Sequence, residues 1–375
     1  MGAGGSRPRR WSVLATTVAA MTALAACAPP TPPPAELPPR VGSADVRVMT
    51  WNLLGAQADD RVFDEHAGMV ARVEQLRPDV VVVQEAQADE VVALTTRTGG
   101  TAGPAYRVAS YLQWACDAKP SPEGVAILVR TDLVVSDAGR TNIGDSCTDP
   151  TVIRVLVWVT VETADGPLTV YGTHLTAGGG SAAASRDTQI RRVRALIATQ
   201  DAARGGDGRW VLAGDVNTAP GGSSYRLLIE GEAADGLGPL VDTAAEVSAP
   251  AGDPVACPVV AATDTAALAA LWADPARVRD CGYTAGWPKD SDVVGCDLLS
   301  FCTSWEDRRD ISVRERIDVV LRSADGPVSV VDGFVPNRLD DDWAAPGAEW
   351  FRLSDHLPSV ADLDVSPVTV AEVAS

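Results

Sequence analysis

The chain has 375 residues and a formal net charge of −19, with 31 basic residues against 50 acidic ones. Such a surface repels polyanions at long range, which argues against a protein that coats DNA but not against an enzyme whose site gathers a cation. Beyond the N-terminal segment, no apolar stretch approaches the length of a membrane span.

Residues 1–27 have the pattern of an export signal. Arg7, Arg9 and Arg10 give a positive start, and the apolar run 13–26 is too short to cross a membrane. The run ends in Leu24-Ala25-Ala26-Cys27, similar to the bacterial lipobox, where cleavage leaves Cys27 as the lipidated N-terminus. An ordinary signal peptide with an incidental cysteine is the alternative. The mature protein is therefore expected to be exported, either lipid-anchored on the extracellular face of the cell membrane or secreted. Residues 28–43 form a linker, with seven prolines among positions 28–40. Proline fixes φ and lacks an N–H, so this segment should be an extended, semi-rigid tether.

Residues 44–366 remain for one large domain with a substantial core. Positions 46–51 predict a strand. Phe63, Ala67, Val70, Val73 and Leu76 recur at helical spacing up to Pro78. The continuous apolar run 80–83 predicts a strand buried on both faces. Further strands are expected over 106–112, 125–129, 151–161 and 168–173. Ile190, Val193 and Ile197 mark a helix whose outer face is expected to carry Arg191, Arg192 and Arg194. A strand over 210–213 leads into Gly214-Asp215-Val216-Asn217. Residues 249–312 look like an irregular, cysteine-rich insertion, followed by strands over 316–321, 328–335 and 358–363 and a disordered tail over 367–375. Many strands with few long helices predict an α/β layered sandwich of two mixed sheets with helices outside.

Apart from Cys27 there are six cysteines, at 116, 147, 257, 281, 296 and 302. In an exported chain an even number predicts disulfides, and sequence proximity favours Cys116–Cys147, Cys257–Cys281 and Cys296–Cys302. Zinc is the rival reading, but no C-x-x-C pair occurs and the histidines lie elsewhere.

The chemistry-bearing groups fall at the ends of apolar runs: Asn52, Glu85, His174, Asp215, Asn217, Asp318, Asp355 and His356. Each alone has a bland reading, as a turn residue, a cap or a surface charge. A carboxylate at the mouth of a buried strand is costly unless paired or metal-bound. Of three histidines, His174 and His356 lie at strand ends, while His66 lies within a helix and is expected to be structural. No G-x-S-x-G elbow and no G-x-x-x-x-G-K-[ST] loop is present, which leaves metal-assisted hydrolysis.

The ordered set Trp51-Asn52, Gln84-Glu85, Thr173-His174-Leu175, Gly214-Asp215-Val216-Asn217, Arg316-Ile317-Asp318 and Ser354-Asp355-His356 resembles the endonuclease/exonuclease/phosphatase superfamily. The resemblance implies a four-layer α/β/β/α sandwich and hydrolysis of phosphate esters. It further implies that Glu85, with Asn52 and Asp355, holds Mg²⁺ or Mn²⁺ through oxygen. His356 would be a general base or phosphate contact oriented by Asp318. Asp215 would position the attacking water, Asn217 a phosphoryl oxygen, and His174 would stabilise developing charge. Glu123 matches the carboxylate that pairs with this histidine in the deoxyribonuclease branch.

Three functions compete. A nuclease-like phosphodiesterase is favoured, because the arginine face and a metal could offset repulsion of nucleic acid. A sphingomyelinase-type phospholipase C is suggested by Tyr171-Gly172-Thr173-His174-Leu175, and an inositol-phosphate phosphatase is a further alternative. A catalytically silent surface-binding module is the third. Trp343, Trp350 and Phe351 flank Asp355-His356 and could stack on bases or enter a lipid headgroup layer. No protein partner is inferred.

Overall fold

The computed structural model describes residues 44–53, 65–99, 105–116, 119–144, 154–233, 235–248, 285–288, 311–334, 356 and 358–366. The export signal with Cys27, the linker, the C-terminal tail, Asp355, the aromatic residues 343, 350 and 351 and all the cysteine side chains lie outside the described residues.

Apolar side chains alternate in direction along a strand, so a run buried on both faces serves two cores at once. Strands β1 (Val46–Asn52) and β2 (Val80–Ala86) do this. Val46, Val48, Val80 and Val82 enter one core, while Met49, Trp51, Val81 and Val83 enter another. Together with β3 (Tyr106–Cys116), β4 (Lys119–Arg130), β13 (Val328–Phe334) and β14 (Ser359–Val365) they make a six-stranded sheet, in the order β13-β14-β1-β2-β4-β3. A second six-stranded sheet comprises β5 (Val135–Asn142), β6 (Val155–Thr163), β7 (Gly166–His174), β8 (Trp210–Asp215), β9 (Leu240–Asp242) and β12 (Asp318–Ser323), in the order β5-β6-β7-β8-β12-β9. Both sheets are mixed: β1–β2 and β7–β8 pair in parallel, the remaining pairs antiparallel.

Three cores separate four layers. Helices α1 (Glu65–Leu76) and α2 (Ala88–Thr96) pack on the first sheet through Met69, Val73, Leu76, Val91 and Leu94. The valine-rich inner faces of the two sheets meet in the middle. Helices α3 (Ser181–Arg204) and α4 (Ser223–Glu230) cover the second sheet through Ile190, Val193, Ile197 and Leu228. This is the expected α/β sandwich. Gly172 permits a close approach of the sheets, because a Cβ there would lie 2.6 Å from Val82 Cγ1 of the facing sheet and 3.0 Å from Val157 Cγ2 beside it.

Several elements differ from expectation. Edge strand β5, with only alternate positions half-buried, lacks an apolar signal and escapes a periodicity reading. Helix α2 and the short α5 (Thr243–Ser248) escape it for want of length. Within 249–312, expected to be irregular, β10 (Ala285–Pro288) pairs antiparallel with β11 (Ile311–Glu315). The outward arginine face of α3 needs correction, because Arg194 is 1% exposed. Position 194 is one turn beyond Ile190 and so lies on the apolar stripe itself. There its guanidinium donates to Asp235 Oδ2 at 2.6 Å and to the Leu228 carbonyl at 2.7 Å. Arg191 pairs with Glu232, and Arg192 donates to the carbonyls of Ile143 and Gly144.

Candidate active site

The alternation that builds the central core also builds the site. Continuing the inner-facing rows to the end of each strand gives Asn52 after Val46 and Val48, Glu123 ahead of Val125 and Ile127, and His174 after Leu168 and Val170. In the same way Asp215 follows Val211 and Ala213, and Asp318 precedes Val320. Parallel register sets His174 beside Asp215, and antiparallel register sets Asp318 beside Asp215 on its other side. The turn into β12 is held by Arg316, 2.7 Å from Asp242 Oδ2, and by the Val216 amide, which donates to the Ile317 carbonyl.

Glu85 breaks this parity. By alternation it would follow Val81 and Val83 towards the helices. The β2–β4 ladder instead shifts register between Val83 and Ala86, and Glu85 takes φ +52°. A bulge inserts a residue and re-aims its side chain, and a left-handed φ on a glutamate is costly enough that tertiary contacts must hold it. Here the bulge brings Glu85 Oε1 within 3.1 Å of Asn52 Nδ2. Asn217 is likewise left-handed, at φ +50°, with its backbone amide donating to Asp215 Oδ1 at 2.8 Å.

The groups then form one cluster. Asn52 Nδ2 donates to Glu85 and also to Asp215 Oδ2 at 3.1 Å. His174 Nε2 lies 3.5 Å from Asp215 Oδ2 and 3.9 Å from Glu85 Oε1. Asn217 Nδ2 faces His174 Nε2 at 3.0 Å and donates to the Leu175 carbonyl at 2.9 Å. The Asn217 amide, assigned from the family resemblance to a phosphoryl oxygen, is thus engaged with the histidine and its loop. Across the cluster, His356 Nδ1 meets Asp318 Oδ2 at 2.7 Å, and its Nε2 stands 4.0 Å from Asp215 Oδ2. His66 is half-buried on α1, and its recorded ionic contact is with Asp89, at 3.9 Å, rather than with these groups.

Burial sets the protonation states. Desolvation first, then the nearby charges of Arg154 and His356, holds His174 well below the usual histidine range, so its ring is neutral at neutral pH. Asp215 is pushed up to about 7, chiefly by burial and then by Asp318, against the opposing pull of His356, Asn217 and Asn52. Glu123 is also raised to about 7, by burial and by the charge of Glu85.

Arg154 is the residue that sequence reasoning missed. It is 8% exposed, immediately precedes β6, and carries the charge that acts on Glu85, Asp215 and Glu123. Its signal was a charge embedded in the apolar run Val152-Ile153-Arg154-Val155, where a guanidinium is unfavourable without acidic partners. Strand parity gives no address for it, because it lies just outside the regular ladder.

Three carboxylates, Glu85, Glu123 and Asp215, therefore share the charge of Arg154, and a fourth, Asp318, adds its charge beside Asp215. Excess buried negative charge lined with oxygen atoms fits a hard divalent cation. Glu85 and the Asn52 carbonyl could hold it. Asp215, Asp318 and His356 also offer ligand atoms within 4.8 Å of one another.

The sequence matches the model of the Endonuclease/Exonuclease/phosphatase family over residues 49–356. No curated protein matches the chain. Among solved structures it resembles an endonuclease/exonuclease/phosphatase from Bacteroides vulgatus, at 17% identity and a TM-score of 0.53, over 86% of this chain and 100% of that one. The human Nocturnin catalytic domain with bound sulfate is similar at 16% identity and a TM-score of 0.52, over 86% and 94%. TDP2 of D. rerio, complexed with a single-strand DNA product, shows 15% identity and a TM-score of 0.52, over 86% and 100%. The family match takes in every cluster residue from Asn52 to His356, and the chain belongs to the endonuclease/exonuclease/phosphatase family of enzymes that hydrolyse phosphate esters.

Proposed function

We propose that the protein is a Mg²⁺- or Mn²⁺-dependent phosphodiesterase, with a nucleic-acid strand as the first substrate to test. The observation that carries this reading is the facing pair of histidines on either side of Asp215, one neutral and buried, the other bonded to Asp318. Asp318 accepts the His356 Nδ1 proton, which fixes the tautomer and leaves Nε2 facing the cluster. Asp215 is held at Oδ1 by the Asn217 backbone amide and at Oδ2 by Asn52, and Oδ2, which faces both histidines, is placed to orient a water. His174, at the end of β7, would stabilise charge on the phosphoryl group, with Asn217 of the loop after β8 holding its ring. A bound divalent ion would supply Lewis-acid polarisation of that group, held by Glu85 and Asn52 together with Asp355. Arg154 is the cationic side chain shared by these groups.

The arginine face of α3 is largely committed to internal bonds, so nucleic acid would depend on the metal to offset repulsion. The string around His174 that suggests a sphingomyelinase is explained by packing: Tyr171 is buried edge-on against Trp210, and Gly172 lies between the sheets. For location we propose export with a lipid on Cys27, supported by the basic start, the short apolar run and the Leu-Ala-Ala-Cys sequence.

The test is Mg²⁺-dependent turnover of bis-p-nitrophenyl phosphate by wild type and His356→Ala, then of DNA, RNA, sphingomyelin and inositol phosphates. Turnover by wild type that is lost in His356→Ala supports the reading. Sphingomyelin cleavage without DNA or RNA turnover at low salt would reassign the substrate.

A further inference from the structure

The loop that leaves β7 directly after His174 is Leu175-Thr176-Ala177-Gly178-Gly179-Gly180. Three consecutive glycines make it expensive to order, and Gly178 and Gly180 take φ of +92° and +61°. A histidine whose chain exits into such a segment needs something else to hold it. Helix α3 supplies that. Gln189 Oε1 accepts the Thr176 backbone N–H at 3.0 Å, and Gln189 Nε2 donates to Thr176 Oγ1 at 2.8 Å. Arg186 Nη1 donates to the Thr176 carbonyl at 2.7 Å and to the Gly178 carbonyl at 2.9 Å. All three polar atoms of Thr176 are thus bonded to two side chains of one helix. Thr176, Arg186 and Gln189 are 3%, 7% and 1% exposed.

The neighbouring loop is tied to the same helix. Asn217 begins the segment that leads to α4, where Ser224 Oγ donates to Asp187 Oδ1 at 2.5 Å. Asn217 itself bonds the Leu175 carbonyl and faces the His174 ring. The exits of β7 and β8 are therefore pinned to three positions within about one turn of α3, Arg186, Asp187 and Gln189, and the two site residues touch between them. Arg186 and Gln189 lie one turn or less before Ile190, on the stripe that buries the helix, so a polar pair there displaces apolar packing. A purely structural helix would place apolar side chains at those positions.

We propose that Arg186 and Gln189 are positioning residues, which hold the Thr176–Gly178 segment so that His174 keeps its place against Asp215 and Asn217. The proposal rests on the phosphodiesterase reading for its kinetic consequence, but not for its structural one. Outer partners of this kind typically change activity by about 10–100-fold when removed, as does a displacement of about 1 Å at the reacting groups.

The experiment uses the full chain with Mg²⁺ and bis-p-nitrophenyl phosphate. Gln189→Leu and Arg186→Met are expected to lower kcat by about 10–100-fold with little change in KM. Gln189→Glu should recover most of the loss, because its carboxylate can accept both the Thr176 N–H and the Thr176 hydroxyl. Arg130→Met, which breaks the 2.6 Å pair with Asp79 at the far end of β4, is the control for mere destabilisation and should leave kcat unchanged. A second readout does not need activity. With three histidines in the chain, ring signals resolve individually by NMR. The His174 signal should move in Gln189→Leu and return in Gln189→Glu, while that of His66 stays. An inactive wild type would refute the functional reading alone, since the His174 signal would still report on the clamp. The clamp itself is overturned if the folded Gln189→Leu protein keeps both its His174 signal and its kcat. It is equally overturned if kcat falls as far in Arg130→Met.

Discussion

The two ends of the first sheet treat buried charge in opposite ways. At the starts of β1 and β2, charges are matched. Arg47 grips Asp362 through two parallel bonds of 2.6 and 2.7 Å, and Arg130 meets Asp79 Oδ1 at 2.6 Å, while Asp79 Oδ2 accepts the Arg47 amide at 2.7 Å. At the other end of this sheet, Glu85 and Glu123 share the charge of Arg154 with Asp215 of the facing sheet, and Asp318 adds its charge beside Asp215. The matched end is a fastener, whose fork-to-carboxylate geometry offsets the desolvation of both ions. The unmatched end costs stability, and its excess acid is compensated by proton uptake or by a bound metal cation. A surplus of buried charge of one sign thus separates a working end from a structural one on the same strands.

The largest expected effect is on activity at the unmatched end. Metal-stripped enzyme should fall to background in chelator and recover with Mg²⁺ or Mn²⁺. Asp215→Asn and His356→Ala should each lower kcat by about 10²–10⁴-fold. Asp215→Asn should do so without loss of thermal stability, because it removes a charge that burial opposes; a large drop in its Tm would break the contrast. Next in size, Asp362→Asn at the matched end should cost about 3–5 kcal/mol in denaturant unfolding, by stranding Arg47, and should leave the kcat of the folded fraction intact. Loss of kcat there would mean that the two ends are coupled.

A smaller effect concerns pH. In the metal-free protein Asp215 and Glu123 are raised to about 7 from the ordinary carboxylate range near 4. The folded state therefore binds more protons than the unfolded state between those limits, and stability falls as pH rises through that window. Tm in EDTA should be higher at the acid side of the window than above it, and added Mg²⁺ should recover the difference at the alkaline side. A metal-free Tm that rose with pH across this range would contradict the crowding argument. Smallest of all, His66→Ala should leave kcat nearly unchanged, since its contact is a 3.9 Å approach to the exposed Asp89.

Much of this was determined by the sequence alone. Apolar runs fixed on both faces, such as Val80-Val81-Val82-Val83, announce central strands, because only a strand between two cores needs apolar residues at every position. The polar groups that end those runs, Asn52, His174, Asp215 and Asp318, meet because alternation carries each inner row to the same edge. Tertiary structure alone decided the rest. The bulge that turns Glu85 away from the helices depends on how β2 pairs with β4. The partners of Arg154 and Arg194 were illegible, because a guanidinium's place depends on carboxylates and carbonyls far away in the chain: Glu85 and Glu123 for one, Asp235 and Leu228 for the other. Strand β5 owes its existence to the ladder offered by β6 rather than to any apolar pattern of its own. Periodicity is a local property that the chain carries with it; charge compensation and edge pairing are settled only when distant segments meet.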